Sequence, residues 1–228
     1  MTQITWLGHG SWLIEADGHR LLLDPFLKDN PSATASPSDF QDVSHILISH
    51  GHFDHVADAA EIANASGATL IAIYEIAEWF ASNHGVENTV GMNIGGNYDL
   101  PFGSLQMTPA IHSSQLPDGA YGGEPAGFIL TTSQKRIYFA CDTALFSDMQ
   151  LYAQNVDVAV LPIGDLFTMG IEDSVKATRL IEPKQVLPAH YGTWPPIAQD
   201  PNHWADRVRQ ETAAEPIVLE VGESLNLG

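Results

Sequence analysis

The sequence predicts an α/β protein in which helices cover the faces of β-sheets. Three observations carry that prediction. Short apolar runs bounded by glycine, proline and polar residues recur along the whole chain, which is the strand pattern. Between many of them lie segments with apolar residues at helical spacing, such as Val56, Ala59, Ala60 and Ala63. The chain of 228 residues is 44% hydrophobic and only 16% charged, which is the composition of a folded protein. No linker-like stretch and no short repeat divides it, so a single domain over residues 1–228 is expected.

Residues 4–7, 11–16 and 20–23 read as three short strands, with Asp17-Gly18 as the hairpin turn between the last two. A polar loop with several prolines and serines spans 25–42. A strand over 45–49 follows, then a helix over 54–65, a strand over 69–74 and a helix over 75–83 ended by Gly85. Residues 91–103 are rich in glycine and read as turns; they lack the Gly-Lys-Ser/Thr ending of a phosphate loop, so Gly95-Gly96 is a turn. Strands are expected over 105–109, 126–131 and 136–140, with a loop over 113–125 between the first two. The last third alternates more regularly: helix 147–154, strand 157–162, helix 172–181, strand 185–188, helix 201–213 and strand 217–221.

The segment His50-Gly51-His52-Phe53-Asp54-His55 places three imidazoles and a carboxylate just past an apolar strand. Imidazole suits zinc, iron, copper and nickel, and a carboxylate adds a hard oxygen donor, so the cluster reads as a metal site. In extended chain, residues two apart point the same way with Cα atoms about 6.6 Å apart, so His50 and His52 can converge on one ion. Asp54 shares that side, while His55, at the start of the helix, faces elsewhere. Three more polar residues cap apolar runs at separate points: His112 after 105–111, Asp142 after 137–141 and His190 after 186–189.

The motif at 50–55, followed in order by His112, Asp142 and His190, resembles the metallo-β-lactamase superfamily over essentially the whole chain. The resemblance implies a four-layered αββα sandwich with a dinuclear metal site on one edge. It narrows to the metal-dependent hydrolases similar to the L-ascorbate-6-phosphate lactonases. Leu7-Gly8-His9-Gly10-Ser11, Ala110-Ile111-His112-Ser113-Ser114, the stretch from Asp165 to Gly170 and His190-Tyr191-Gly192-Thr193 support that narrower likeness. It implies that His50, His52 and His112 hold a first metal, that Asp54, His55 and His190 hold a second, and that Asp142 bridges both. Two dications about 3.8 Å apart repel by roughly 17 kcal/mol at an effective dielectric of 20, so shared anionic oxygens belong between them. The two divalent ions are read as zinc, with manganese or iron also suited to such donors.

By the same resemblance, a metal-bridging hydroxide attacks a small ester or lactone, and Asp54 orients the nucleophile or relays its proton. His9 is a candidate for the substrate or metal region, Asp24 for steadying a histidine ligand, and Asp165 for facing the substrate or a ligand. Cys141 stands where relatives of this kind often have glycine, and reads as a buried, inert thiol. His19, His45, His84 and His203 have no comparable context and read as ordinary histidines.

Charge narrows the partners. With 28 acidic against 9 basic residues the formal charge is −19, which repels polyanions and makes nucleic acid and anionic membranes poor partners. That argues against the alternative of a phosphodiesterase or nuclease of the same fold. A non-catalytic metal-binding module is the alternative outside enzymes. No apolar run of about 18 residues offers a membrane span. One cysteine excludes an internal disulfide, and with no secretory signal visible a cytoplasmic enzyme acting on a small molecule is expected. The resemblance also leaves room for a homo-oligomer.

Overall fold

Continuous rather than alternating burial marks the centre of each of two sheets. Every residue of β4 (His45–Leu47) and of β11 (Val158–Pro162) is buried, the pattern of strands covered on both faces. In the computed structural model, which describes Met1–Gly228, the first sheet begins as an antiparallel meander. It comprises β1 (Thr2–Gly8), β2 (Ser11–Ala16) and β3 (His19–Leu23), joined by tight turns. It continues in parallel through β4, β5 (Thr69–Ile73) and β6 (Thr89–Met92). The second sheet repeats the plan. β7 (Asn97–Leu100), β8 (Gly103–Pro109), β9 (Ala126–Thr132) and β10 (Arg136–Phe139) run antiparallel, and β11, β12 (Gln185–Ala189) and β13 (Glu215–Pro216) follow in parallel.

Parallel neighbours need crossovers, and these are where the helices lie. α1 (Phe53–Val56) and α2 (Ala59–Ser66) connect β4 to β5, and α3 (Tyr74–His84) connects β5 to β6. α4 (Met149–Tyr152), α5 (Ile171–Ile181) and α6 (Pro201–Glu211) serve the second sheet in the same way. α5 buries Val175, Thr178 and Ile181, α6 buries Trp204 and Val208, and Trp204 Nε1 donates to Ser174 Oγ at 3.1 Å to tie the two helices. The sheets face one another across one core of 65 buried residues, with Trp12 of β2 against Phe139 of β10 at 6.2 Å between ring centroids. The layers are therefore helix, sheet, sheet, helix, as expected.

Four local expectations are corrected. The helix expected over 54–65 is two helices, because Asp58 turns its carboxylate away to accept from the backbone N–H of Leu27 (2.6 Å) and Lys28 (3.1 Å). Gly95 and Gly96 do form a turn, but it joins strands β6 and β7, which are too short and too exposed to show an apolar period. The helix over 147–154 shrinks to Met149–Tyr152, where the Arg136 guanidinium takes the carbonyls of Tyr152 and Gln154. Residues 217–221 are not a strand. The chain leaves β12 after Ile217 and crosses to the first sheet, where Gly222 N donates to Trp6 O at 2.7 Å and β14 (Ser224–Asn226) closes the edge beside β1.

Candidate metal centre

The candidate residues sit where strands end on one edge of the sandwich. β1 leads into His9, β3 into Asp24, β4 into Ser49 and His50, β8 into His112, β10 into Asp142 and β12 into His190. Several of these ends turn sharply. His9 (φ 54°), Asp24 (φ 46°), Cys141 (φ 54°) and His190 (φ 54°) all hold the left-handed conformation, at about 1–2 kcal/mol each. The φ of Cys141 explains why glycine suits that place. Two glycines let the backbones close in: a Cβ on Gly10 would stand 3.0 Å from His55 Cε1, and one on Gly164 would stand 2.2 Å from His190 O.

These ends gather donor atoms within 4.8 Å of one another in two groups, one from His50, His52 and His112 and the other from His9, Asp54, His55 and His190, with a third set, Asp24, His50 and His55, linking them. His50 Nε2 lies 3.0 Å from His52 Nδ1, and His112 Nε2 lies 3.3 Å from the same atom. Asp142 Oδ2 stands between the groups. It is 3.0 Å from His190 Nε2, 3.5 Å from His55 Nε2, 3.7 Å from His112 Nε2 and 4.0 Å from His50 Nε2. Donors about 2.1 Å from a common tetrahedral ion lie about 3.4 Å apart, which is the spacing found here.

A second ring of hydrogen bonds fixes how the histidines face. Asp24 Oδ1 accepts from Ser49 N at 2.7 Å, and its Oδ2 accepts from Ser49 Oγ at 2.5 Å and from His55 Nδ1 at 2.9 Å. Ser49 Oγ has spent its proton on Asp24, so it accepts from His50 Nδ1 at 2.9 Å. One buried carboxylate thus holds a histidine of each group, directly or through Ser49, with its Nε2 turned inward. His9 is fully buried between Thr193 and Asp54: Nε2 donates to Asp54 Oδ2 at 2.9 Å, and Nδ1 accepts from Thr193 Oγ1 at 2.8 Å. Ser113 Oγ reaches His52 Nε2 at 3.2 Å. The sequence assigns no site role to Ser49, Thr193 or Trp194, although Thr193 ends the segment His190-Tyr191-Gly192-Thr193. The first lay inside an expected strand, and the other two had only their nearness to His190 as a signal.

Burial and charge pull the ionisable groups apart. Burial lowers the pKa of His50, His52 and His112, and brings His9 down to about 4. Burial also opposes charge on His55 and His190. There the neighbouring carboxylates, Asp142 first, outweigh it, raising His55 well above its ordinary value and His190 to about 9. Asp142 and Asp54 are held well below the usual carboxylate range: burial works against that, and the surrounding histidines prevail. Even so, His55 Nε2 and both ring nitrogens of His190 are buried without a hydrogen-bond partner, His190 Nε2 with Asp142 Oδ2 only 3.0 Å away but misaligned. Buried donors and acceptors left unmet are costly. Imidazole nitrogens and carboxylate oxygens that converge, with three of the buried nitrogens left unpartnered, fit a divalent metal.

Asp165 stands apart from these groups. It is exposed, and its Oδ1 accepts from Leu166 N at 2.8 Å, so its carboxylate shapes its own loop. Cys141 is half-buried, and burial with the nearby carboxylates of Asp24 and Asp142 pushes its thiol well up, as suits an inert side chain. His19 stacks on Phe102, His84 packs on Trp79, His45 bonds Ser44 and His203 is exposed on α6, and none of them joins a donor group.

Comparison with known proteins agrees with this geometry. Residues 19–191 match the β-lactamase superfamily domain. The UPF0173 metal-dependent hydrolase of Methanopyrus kandleri is 45% identical, covering 97% of this chain and 98% of that protein. Its counterpart in Thermus thermophilus is 44% identical over the full length of both. Among solved structures, Igni18, a metallo hydrolase from the archaeon Ignicoccus hospitalis, is 37% identical and superposes with a TM-score of 0.87 over 98% of this chain and 97% of that one. A strand-end cluster of histidines and aspartates on a two-sheet sandwich, matched along its whole length by such relatives, makes this chain a member of the UPF0173 metal-dependent hydrolase family, within the metallo-β-lactamase superfamily.

Proposed function

We propose that this enzyme hydrolyses a small ester or lactone with two divalent ions. His50, His52 and His112 would hold one ion, Asp54, His55 and His190 the other, and Asp142 both. One observation carries the reading: Asp142 Oδ2 lies within 4.0 Å of the Nε2 atoms of four histidines drawn from both donor groups. Nitrogen and carboxylate donors suit zinc, and manganese or iron as well. Bound ions of this kind polarise a scissile carbonyl and lower the pKa of water to about 7.

The remaining chemistry belongs to the side chains. Water adds to the acyl carbon, the acyl C–O bond breaks, and the leaving alkoxide takes up a proton as the acid forms. Asp54 is held ionised and only partly buried, so it is placed to accept a hydrogen bond from the incoming water and orient it while the proton is relayed to the leaving oxygen. His9 Nε2–H steadies Asp54 for that task, while Asp24 and Ser49 keep His50 and His55 from rotating. The charge of −19 favours a small substrate over nucleic acid. No helix is long and apolar enough to cross a membrane, and the single cysteine suits the cytoplasm.

Elemental analysis of the purified protein, paired with a screen of lactones, carboxylic esters and phosphodiesters, tests the proposal. About two metal ions per chain and ester or lactone turnover are expected. Phosphodiester turnover alone would transfer the enzyme to the other hydrolase class, and metal without any turnover would favour a binding module.

A further inference from the structure

Above the donor groups opens a cavity of about 440 Å³, within the range of small-molecule sites. Its floor is His52, Asp54, His112, Asp142 and His190, and its walls are Phe53, Leu166, Phe167 and Trp194. Three of the wall residues are large apolar groups left open to solvent: Phe53 at 48%, Leu166 at 66% and Phe167 at 56% exposure. Exposed apolar side chains gathered around a polar floor mark a binding site rather than chance surface.

The two sides of the cavity are built differently. Phe53 and Trp194 belong to a packed aromatic group, with Phe26 at 5.3 Å from Phe53 and 5.9 Å from Trp194 between centroids. Leu166 and Phe167 instead ride a loop that holds them out at a cost. Asp165 (φ 62°) and Leu166 (φ 44°) are successive left-handed residues without being glycine, a strained backbone. Asp165 N donates to Met169 O at 3.1 Å and Met169 N to Thr143 O at 3.0 Å, so the loop is tied at its base and only its apolar tip projects. None of the residues lining the cavity is lysine or arginine. Lys28 is paired with Glu61, and Arg179 and Arg207 with Glu211, none of them lining this cavity.

We propose that the part of the substrate remote from the scissile bond is an uncharged alkyl or aryl group, gripped between Leu166-Phe167 and Phe53-Trp194. This rests on the ester or lactone reading and narrows it. A phosphate or carboxylate on that remote group would meet apolar walls, no cationic partner and a strongly negative protein, so phosphorylated lactones are poor substrates.

The metal-loaded protein is assayed with p-nitrophenyl acetate, p-nitrophenyl hexanoate and the p-nitrophenyl monoester of adipic acid, which is hexanoate with a terminal carboxylate. The hexanoate is expected to exceed both others in kcat/KM by about tenfold or more. Leu166→Ala combined with Phe167→Ala is expected to collapse the ratio of hexanoate to acetate. Adipate monoester turned over as well as hexanoate, or an unchanged ratio in the double variant, overturns the proposal. So does light scattering that shows the double variant dissociating an oligomer, since the pair would then be a subunit contact. If no ester is hydrolysed, 1-hexanol binding read by tryptophan fluorescence decides. Saturable binding weakened in the double variant keeps the apolar site while the ester reading falls, and absence of binding sinks both.

Discussion

On one side of Asp142, His50, His52 and His112 bring three imidazoles and no carboxylate of their own; on the other, Asp54 sits among His9, His55 and His190. Burial lowers the pKa of the first three and so favours their neutral forms, in which each ring keeps one nitrogen with a lone pair. His55 and His190 are pushed the other way by Asp142, Asp24 and Asp54, and hold protons that balance those carboxylates. The first side can accept a cation without losing a proton. The second must exchange protons for it, because a ligating imidazole gives up its Nε2 proton. Similar donors therefore make two sites of different pH sensitivity, with the difference set by where the carboxylates stand.

The strongest way to break this contrast is to remove the residue that both sides share. Asp142→Ala is expected to abolish metal uptake on both sides and bring hydrolysis to background, as read by elemental analysis and turnover. An ion retained by the variant would show that the donors on that side suffice without Asp142 and that the residue is not shared by both. Asp24→Asn acts one step further out. It leaves His50 and His55 in place but disturbs the hydrogen bonds that set their rings, and outer partners of this kind are worth about 10–100-fold in affinity or activity. Because Asp24 reaches both groups, the loss should appear in the binding of both ions. A loss confined to the His55 side would show that the Ser49 relay to His50 carries nothing.

Much of this contrast was visible in the chain and some of it was not. Polar residues capping apolar strands at His50, His112, Asp142 and His190 could be read because a strand end is a local pattern, and the structure gathers those caps on one edge. Gly85 ends α3 in the left-handed conformation at φ 64°, again a local signal. What stayed hidden depends on pairs far apart in sequence. Ser49 matters through Asp24, 25 residues away, and Thr193 through His9, 184 residues away. The edge strand Ser224–Asn226 is three residues long with none buried, so no burial pattern announces it. Nor does composition reveal that Asp165 and Leu166 turn the tip of their loop outward.

Proton exchange on the second side gives a pH test of smaller size. In the metal-free protein the pKa of His190 is raised, against burial and chiefly by Asp142, to about 9, whereas in the unfolded chain a histidine titrates near 6.5. The raised value means that between these limits the native state holds a proton the unfolded chain has lost. Its contribution to stability is complete below about 6.5 and disappears as pH rises through about 9. His55 is shifted in the same direction and adds to the trend. The melting temperature of metal-stripped protein should therefore fall from pH 6.5 to 9.5, and metal-loaded protein should lack that fall. A flat profile in the stripped protein would mean that His55 and His190 are neutral there and that the two sides do not differ as described.

The smallest expected effect concerns His9, which touches only the second side. With a pKa brought down to about 4 it is neutral at pH 7, and its single ring proton must be on Nε2 to serve Asp54. Thr193 enforces that choice by donating its hydroxyl proton to Nδ1. Thr193→Val removes the donor at nearly constant volume, freeing the ring to move its proton to Nδ1 and leave Asp54 unsupported. One such hydrogen bond is worth about 0.5–1.5 kcal/mol, so kcat should fall about 2- to 10-fold with little change in KM. Thr193→Ser should restore it, because the serine hydroxyl can donate to the same nitrogen. A loss that serine does not rescue would assign Thr193 to packing. A loss of ion from the three-imidazole side would contradict the separation of the two groups, since neither His9 nor Thr193 bonds any of its members.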